Sequence, residues 1–141
     1  YIERRLPQTD KNIQLMVEGD ANIKIPLNPD LMEWALENLI KNGIDAIEQE
    51  SGSINLVINK KENNVLTIDV VDTGRGIENQ QDWKRVFKPG YSTKRRGWGL
   101  GLSLTKRIVE EYHNGSLEIV RSAPGKGTTL RITLFAKKLK S

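Results

Sequence analysis

The stretch NVLTIDVVD at positions 64–72 constrains the fold of this chain more than any other segment. Its apolar residues alternate, so Leu66, Ile68 and Val70 share one face of a predicted strand. The same period of two places Asp72 on that face. A carboxylate that points into an apolar layer costs several kcal/mol unless hydrogen-bond donors meet it. We therefore expect a sheet with one covered face and a buried acceptor at the end of this strand.

Two glycines follow Asp72 at once, in the segment DTGRG. Gly74 and Gly76 let the backbone approach a ligand closely, where any Cβ would intrude. A buried acceptor beside bare backbone suits the exocyclic amine of an adenine. An aspartate that ends a strand and caps the turn explains the same residues without a ligand. The segment alone leaves both interpretations open.

A second glycine cluster, GWGLGL at positions 97–102, precedes a helical pattern. The unpaired N–H groups at the start of a helix present positive potential to an anion. Neither the G-x-G-x-x-G spacing of dinucleotide sites nor a P-loop is present. The cluster favours a phosphate site, and a flexible loop before an ordinary helix is the alternative.

Charge is distributed unevenly. The net charge is +4, yet positions 83–109 contain no acid and carry +8, which leaves −4 for the rest of the chain. Such a basic segment is typical of a phosphate site or of a surface that meets nucleic acid, and charge alone does not decide between them.

Composition excludes several classes of protein. With no cysteine and one histidine, the chain offers no disulfide, thiolate metal site or His-rich metal site. No apolar stretch approaches the roughly 20 residues that cross a bilayer. The 141 residues match the length of one domain. We expect that domain in the cytoplasm, a reducing compartment.

A helical pattern runs from residue 29 to about residue 49. Asn28 suits the N-cap and Pro29 the first helical position. The predicted buried stripe comprises Met32, Leu36, Leu39, Ile40, Gly43 and Ile47. A second face of this helix carries Asn38, Asn42 and Asp45.

The other elements follow from alternation and turn residues. Strands are predicted at 13–17, 22–27, 53–60, 64–72, 116–120 and 128–135. A second helix is predicted from about residue 100 to residue 113, with Leu104, Ile108 and Tyr112 as its buried stripe. The pattern predicts two layers, a mostly antiparallel sheet covered on one face by helices.

In this order, the motifs resemble the catalytic and ATP-binding domain of bacterial two-component sensor histidine kinases, within the superfamily of gyrase, heat-shock chaperone and mismatch-repair ATPases. ENLIKNGIDA (37–46) is similar to the N box of that family, DTGRGI (72–77) to its first glycine box and VFKPGYSTK (86–94) to its F box. GWGLGL is similar to the second glycine box, and GKGTTLRITL (125–134) to the closing strand. The resemblance covers nearly the whole chain.

The resemblance implies a Bergerat-type α/β (α+β) two-layer sandwich. Its mixed, mostly antiparallel sheet would have about five strands, covered on one face by about three helices. Residues 1–141 would form a single domain, with an ATP lid at about residues 88–97 that is anchored by Phe87. An upstream dimerisation and phosphoacceptor domain would lie outside this chain.

The resemblance also implies roles for the polar face of the first helix. Asn42 would coordinate Mg²⁺ through its side-chain oxygen, a hard ligand suited to that ion. Asn38 would support the phosphates or the metal one turn away, so these two asparagines are the implied catalytic residues. Asp45 would lie at the edge of the nucleotide.

For the adenine, Asp72 would accept a hydrogen bond from the amine. Gly74 and Gly76 would shape the wall beside it, and Thr128 would lie near the contact. The remaining ATP-binding positions implied are Ile77, Thr93, Lys94, Gly97, Gly99, Leu100, Gly101 and Leu102.

Two departures from the family pattern bear on the chemistry. In the F box, Gly90 precedes Tyr91 where an aromatic residue commonly follows the proline directly. More important, Asn38 stands where the superfamily members that hydrolyse ATP place a glutamate as general base, and an amide cannot take a proton. Glu37 points about 100° away around the helix. The departure favours a protein-histidine kinase over the alternative, an ATPase or nucleotide-gated interaction module of the superfamily.

The expected partners follow from the kinase interpretation. His113 lacks the acidic neighbour and the downstream proline of the family's phosphoacceptor motif, so a histidine on the upstream helical domain is the expected acceptor. A response regulator would receive the phosphoryl group next. The fragment alone should be monomeric and unable to phosphorylate itself, whereas the full-length protein should be a homodimer, with an inner-membrane anchor left open. Nucleic acid is not an expected partner, because aromatic residues do not interleave the basic segment.

Overall fold

The computed structural model describes residues 12–19, 27–62, 64–88 and 98–135, and residues 98–100 by their backbone alone. Five strands form one sheet in the order β1-β2-β3-β5-β4. Their bounds are β1 Asn12–Gly19, β2 Ser51–Lys61, β3 Val65–Asp72, β4 Ser116–Ala123 and β5 Gly127–Phe135. β1 and β2 are parallel, and the other neighbours are antiparallel. The predicted mixed, mostly antiparallel sheet is confirmed.

The helices of the described residues cover one face of this sheet. They are α1 Pro29–Ala46, α2 Asp82–Arg85 and α3 Trp98–Arg107, and α3 continues as a π-helical turn over Ile108–Tyr112. Leu39 and Ile40 of α1 are buried against β-strand residues such as Ile54 and Ile132. The predicted two-layer arrangement is therefore confirmed. None of the helices in the described ranges has the length and apolar character that a transmembrane helix requires.

Helix α1 begins as the sequence predicts and ends earlier. Asn28 Oδ1 accepts a hydrogen bond from the Leu31 N–H at 3.1 Å, and Pro29 opens the helix. The helix ends at Ala46 instead of about residue 49, because Ile47 is extended and fully buried. The predicted strand at 22–27 lies outside the described residues except for Leu27, which is in no strand.

The predicted buried stripe of α3 is wrong at two of its three positions. Ile108 is buried, but Leu104 is 41% exposed and Tyr112 is 62% exposed. Thr105 takes the core position, and its hydroxyl is satisfied by donating to the Gly101 carbonyl at 2.7 Å. The π-helical turn then shifts the angular position of the residues after Ile108. A straight 3.6-residue period therefore misplaces Tyr112.

A register shift in β4 determines which of its side chains face the helices. Leu117 and Ile119 pair with Ile132 and Leu130, and the register shifts between Ile119 and Arg121. Beyond the shift, Ser122 pairs with Thr128. Strict alternation from Leu117 would have turned Arg121 toward the helices, and the bulge places Ser122 there instead.

Candidate functional site

Asp72 ends β3 beneath helix α1, on the helix-covered face of the sheet. Only 5% of the residue is exposed, so the burial predicted from the strand phase is confirmed. Gly43 of α1 lies directly above it. A Cβ at Gly43 would stand 3.2 Å from the Asp72 Cβ and 2.6 Å from the Ile54 Cδ1. The missing side chain at Gly43 lets the helix approach the end of β3.

The Asp72 carboxylate has one oxygen engaged and one available. Oδ1 accepts hydrogen bonds from the Gly74 N–H at 2.8 Å and the Thr128 N–H at 3.2 Å. Burial raises the pKa of Asp72 to about 6, against the lowering effect of these two bonds and of the Arg75 charge. Within the described residues, no hydrogen bond reaches Oδ2. The aspartate thus caps the turn and also presents a buried acceptor.

Residues 72–77 form a loop, called here the first glycine loop, that is held between α1 and the β4–β5 hairpin. The Arg75 N–H donates to the Ala46 carbonyl at 2.9 Å, and the Gly125 N–H donates to the Arg75 carbonyl at 2.8 Å. A Cβ at Gly74 would lie 2.7 Å from the Ala46 Cβ. The first glycine loop is therefore fixed to both neighbours through its backbone.

Gly76 has a φ of +78°, and a Cβ there would collide with the Ala123 carbonyl oxygen. Gly127 has a φ of +82°, and a Cβ there would collide with the Asp72 carbonyl oxygen. Glycine is thus required at both positions by the protein's own backbone. The sequence predicted close approach at Gly76 and assigned it to a ligand, because a glycine does not reveal what it approaches.

Two hydroxyl groups and two backbone groups meet behind Asp72. Ser122 Oγ accepts from the Ile77 N–H at 2.8 Å and lies 2.8 Å from Thr128 Oγ1. Ser122 Oγ also lies 3.3 Å from the Gly127 carbonyl oxygen, to which it can donate. Sequence reasoning identified Thr128 and missed Ser122, because the bulge in β4 that turns Ser122 toward the site leaves no mark in the alternation.

The polar face of α1 meets the start of α3. Asn42 Nδ2 donates to the Asn38 carbonyl at 3.0 Å, which turns Asn42 Oδ1 away from the helix backbone. A Cβ at Gly101 would stand 3.2 Å from Asn38 Oδ1. The distance along α1 from Gly43, above Asp72, to Asn38 is about 7.5 Å at 1.5 Å per residue. The structure thus brings Asp72, both asparagines and the first turns of α3 to one side of the molecule.

The structure describes some of the other predicted site residues in full, some by their backbone alone and some not at all. Asp45 is half-buried in the last turn of α1. Ile77 and Leu102 pack against the core. Thr93, Lys94 and Gly97 lie outside the described residues, as does most of the predicted lid, and Gly99 and Leu100 are described only as backbone in the first turn of α3.

Phe87 is buried where the predicted lid begins. The Lys106 ammonium stands 4.9 Å from the centre of its ring. The same ammonium donates to Glu110 Oε2 at 2.8 Å and to the Leu117 carbonyl at 2.9 Å. Phe87 is therefore tied through one cation to α3, to the π-helical turn and to β4.

His113 has a structural position. The Asn28 N–H donates to its Nε2 at 2.9 Å, and its Nδ1 lies 2.8 Å from the Ile108 carbonyl oxygen. A backbone N–H can only donate, so Nε2 is the acceptor and Nδ1 carries the proton. Both ring nitrogens are thereby engaged, which agrees with the expectation that His113 is not a phosphoacceptor.

Comparison with known proteins places this arrangement in a family. Residues 27–138 match the family described as histidine kinase-, DNA gyrase B-, and HSP90-like ATPase. Sporulation kinase C of Bacillus subtilis (strain 168) is 35% identical over 136 residues, which are 96% of this chain and 28% of that protein. The chain thus spans little more than a quarter of this relative.

Two solved structures share the fold. Full-length ShkA in complex with AMPPNP has a TM-score of 0.76 at 21% identity, covering 91% of this chain and 27% of that one. Histidine kinase ThkA in complex with the response regulator protein TrrA has a TM-score of 0.73 at 20% identity, covering 89% and 34%. The chain belongs to the histidine kinase-, DNA gyrase B-, and HSP90-like ATPase family, as a catalytic ATP-binding domain of the sensor histidine kinase type.

Proposed function

We propose that this chain binds ATP with Mg²⁺ and transfers the γ-phosphoryl group to a histidine on a separate helical domain. The observation that carries the proposal is the buried Asp72, whose Oδ2 lies under Gly43 of α1 and accepts no hydrogen bond from the described residues. The family membership and the ShkA complex with AMPPNP support it.

At the adenine end, Asp72 Oδ2 accepts a hydrogen bond from the exocyclic amine. The low exposure of the carboxylate strengthens this bond, because water competes little for either partner. Gly74 and Gly76 keep the first glycine loop flat against its neighbours, so the base can lie beside Asp72. Thr128 stands next to the contact, and Asp45 lies at its edge.

At the phosphate end, Asn42 supplies Oδ1 to Mg²⁺ and Asn38 lies one turn away. The residues fit this ion, because the Asn42 amide is oriented by its bond to the Asn38 carbonyl, which leaves a hard oxygen facing outward. Within the described residues, no group of three or more His, Cys, Asp or Glu could hold a metal. The ion therefore relies on water and phosphate oxygens as well, and when bound it neutralises charge on the phosphates.

The N-terminal amides of α3, at positions 98–102, bind the phosphates through the unpaired N–H groups of the first turn. We assign the lid, about residues 88–97, to closure over them, with Phe87 and its Lys106 contact as the fixed end. Thr93, Lys94 and Gly97 belong to that lid.

In the transfer, a lone pair of the acceptor imidazole forms the P–N bond to the γ-phosphorus. The bond from that phosphorus to the β–γ bridging oxygen breaks, ADP leaves, and the imidazole loses its proton to solvent. The acceptor is itself the nucleophile, so the chain needs to position and stabilise charge, and needs no base for water. Asn38 suits this reaction and disfavours ATP hydrolysis as the main activity.

The remainder of the reaction needs parts beyond this chain. We propose that residues 1–141 form one domain and that a dimerising helical domain upstream carries the phosphoacceptor, which makes the full-length protein a homodimer in the cytoplasm or on its membrane. A response regulator then receives the phosphoryl group, as the ThkA complex with TrrA suggests by analogy. The isolated chain is monomeric and does not phosphorylate itself.

Calorimetry with ADP and Mg²⁺ tests the binding step. The wild-type chain should bind, and Asp72→Asn should bind at least tenfold more weakly, about the loss expected for a charge-assisted hydrogen bond. Asp69→Asn is the matched control. Asp69 lies on the same strand, and both of its oxygens pair with Arg131, at 2.8 and 2.9 Å, away from the site. Equal ADP affinity in wild type and Asp72→Asn would overturn the assignment.

A further inference from the structure

Ser122 stands behind the proposed adenine contact and has no assigned role. Across three strands, Asp72, Thr128 and Ser122 pair in one row, all on the helix-covered face of the sheet. Asp72 Oδ1 holds the Thr128 backbone, and Ser122 Oγ holds the Thr128 hydroxyl. Thr128 therefore links Ser122 to Asp72, the residue whose carboxylate is proposed to bind the adenine amine.

The hydroxyl of Ser122 has one proton and two lone pairs. The Ile77 N–H occupies one lone pair at 2.8 Å. The proton can go to Thr128 Oγ1 at 2.8 Å or to the Gly127 carbonyl oxygen at 3.3 Å. The shorter distance is the usual one for a hydrogen bond between two oxygens, whereas the longer one exceeds the ordinary range. The geometry permits donation from Ser122 to Thr128, and in that arrangement the Ser122 proton forms the shorter of its two possible bonds.

The direction of that bond decides what Thr128 presents to a ligand. When Ser122 donates, the Thr128 proton cannot point back at Ser122 and is directed elsewhere in the row. The ring nitrogens on either side of the adenine amine, N1 and N7, are both acceptors. The Asp72 carboxylate can therefore accept from the adenine amine while the Thr128 hydroxyl beside it donates to the neighbouring ring nitrogen.

We propose that Ser122 is a positioning residue for adenine recognition, which orients the Thr128 hydroxyl as a donor to a ring nitrogen. This inference rests on the proposed function. It adds to the Asp72 contact a second point of base recognition, and the bulge in β4 is what makes it possible.

Binding of ADP and of two analogues, 1-deaza-ADP and 7-deaza-ADP, tests the inference on the folded chain. Each analogue replaces one ring nitrogen acceptor by a C–H group. Ser122→Ala should weaken ADP binding about threefold to tenfold, the usual net effect of one neutral hydrogen bond. It should leave unchanged the affinity for the one analogue that lacks the contacted nitrogen. A role confined to holding the loop would weaken all three nucleotides equally, and that result would overturn the inference.

A double-mutant cycle gives a second measurement. If Ser122 acts through Thr128, Ser122→Ala should not weaken ADP binding further in a Thr128→Val background. Additive losses contradict the inference. Ser122→Thr keeps a hydroxyl and should restore ADP affinity, whereas Ser116→Ala, a serine of the same strand that pairs with Thr133 on the opposite face, should have no effect.

Two further arms keep the outcomes distinct. If Ser122→Ala does not fold, Ser122→Cys replaces it, because a thiol of nearly the same size is a weak donor. If the wild-type chain binds ADP and Asp72→Asn does not, while Ser122→Ala weakens all three nucleotides alike, only the role of Ser122 fails. If the wild-type chain binds no adenine nucleotide, the proposed function itself fails.

Discussion

Asp72 combines deep burial with a charge, and its replacement by asparagine separates the stability of the fold from the function of the site. The folded-state pKa of the carboxyl is raised from 3.8 to about 6, mainly by burial. The folded protein therefore binds this proton more tightly than the unfolded chain does. The stabilisation that comes from the neutral carboxyl is fully present below pH 3.8 and is lost as the pH rises through 6.

The magnitude follows from the shift. About two pKa units, at about 1.4 kcal/mol each, mean that the ionised carboxylate lowers the free energy of unfolding by about 3 kcal/mol above pH 7. Asparagine does not titrate, and its amide oxygen can still accept from the Gly74 and Thr128 N–H groups. Its amide nitrogen takes the place of Oδ2 without a protein partner, which costs about 1 kcal/mol. We expect unliganded Asp72→Asn to be more stable than the wild type at pH 8 by about 2 kcal/mol.

Urea denaturation of both proteins without nucleotide, at pH 4 and pH 8, measures this difference. The advantage of Asp72→Asn should grow between these two pH values, and at pH 8 the melting temperature should rise by about 6 °C for a domain of this size. Asp69→Asn should instead lose stability, because it weakens the two hydrogen bonds that Arg131 donates to the largely buried Asp69 carboxylate. The reasoning is refuted if Asp72→Asn is less stable at pH 8, or if its difference from the wild type is the same at both pH values.

Three other predictions follow from the same contacts. The ADP affinity of the wild type should fall as the pH is lowered through about 6, because protonated Asp72 no longer accepts through both oxygens. Calorimetry at pH 5 and pH 8 should show this fall in the wild type and no such change in Asp72→Asn. Gly76→Ala should destabilise the chain by more than 2 kcal/mol in urea titrations, because its new Cβ meets the Ala123 carbonyl, whereas Gly125→Ala, with a similar φ and nothing within 4 Å, should cost about 1 kcal/mol. His113→Ala should lower the free energy of unfolding by about 1–2 kcal/mol, because it removes the hydrogen bonds to Asn28 and Ile108. Phosphoryl transfer in the full-length protein, measured with radiolabelled ATP at low temperature, should stay intact. Loss of the acid-labile label from a folded His113→Ala protein would contradict this.

Much of the site could be predicted from local patterns, because those patterns are periodic. A period of two placed Asp72 on the covered face of β3, and residue preferences at helix ends placed Asn28 at the start of α1. A helical period placed Asn38 and Asn42 on one face, where the structure also has them, linked by a hydrogen bond from the Asn42 side chain to the Asn38 carbonyl. Each of these inferences depends on residues that are close in the sequence and on regular geometry.

The sequence by itself determined the covered face of β3, the polar face of α1 and the order of the motifs that identify the family. Only the tertiary structure decided that Ser122 faces the site instead of Arg121, that Tyr112 at the end of the π-helical turn is exposed, and that Gly76 approaches Ala123. The physical reason is the same in each case. One extra residue in β4 reverses its alternation, and a π-helical turn rotates the residues at the end of α3. A glycine permits contact with any neighbour. Each outcome therefore depends on partners that are distant in the sequence.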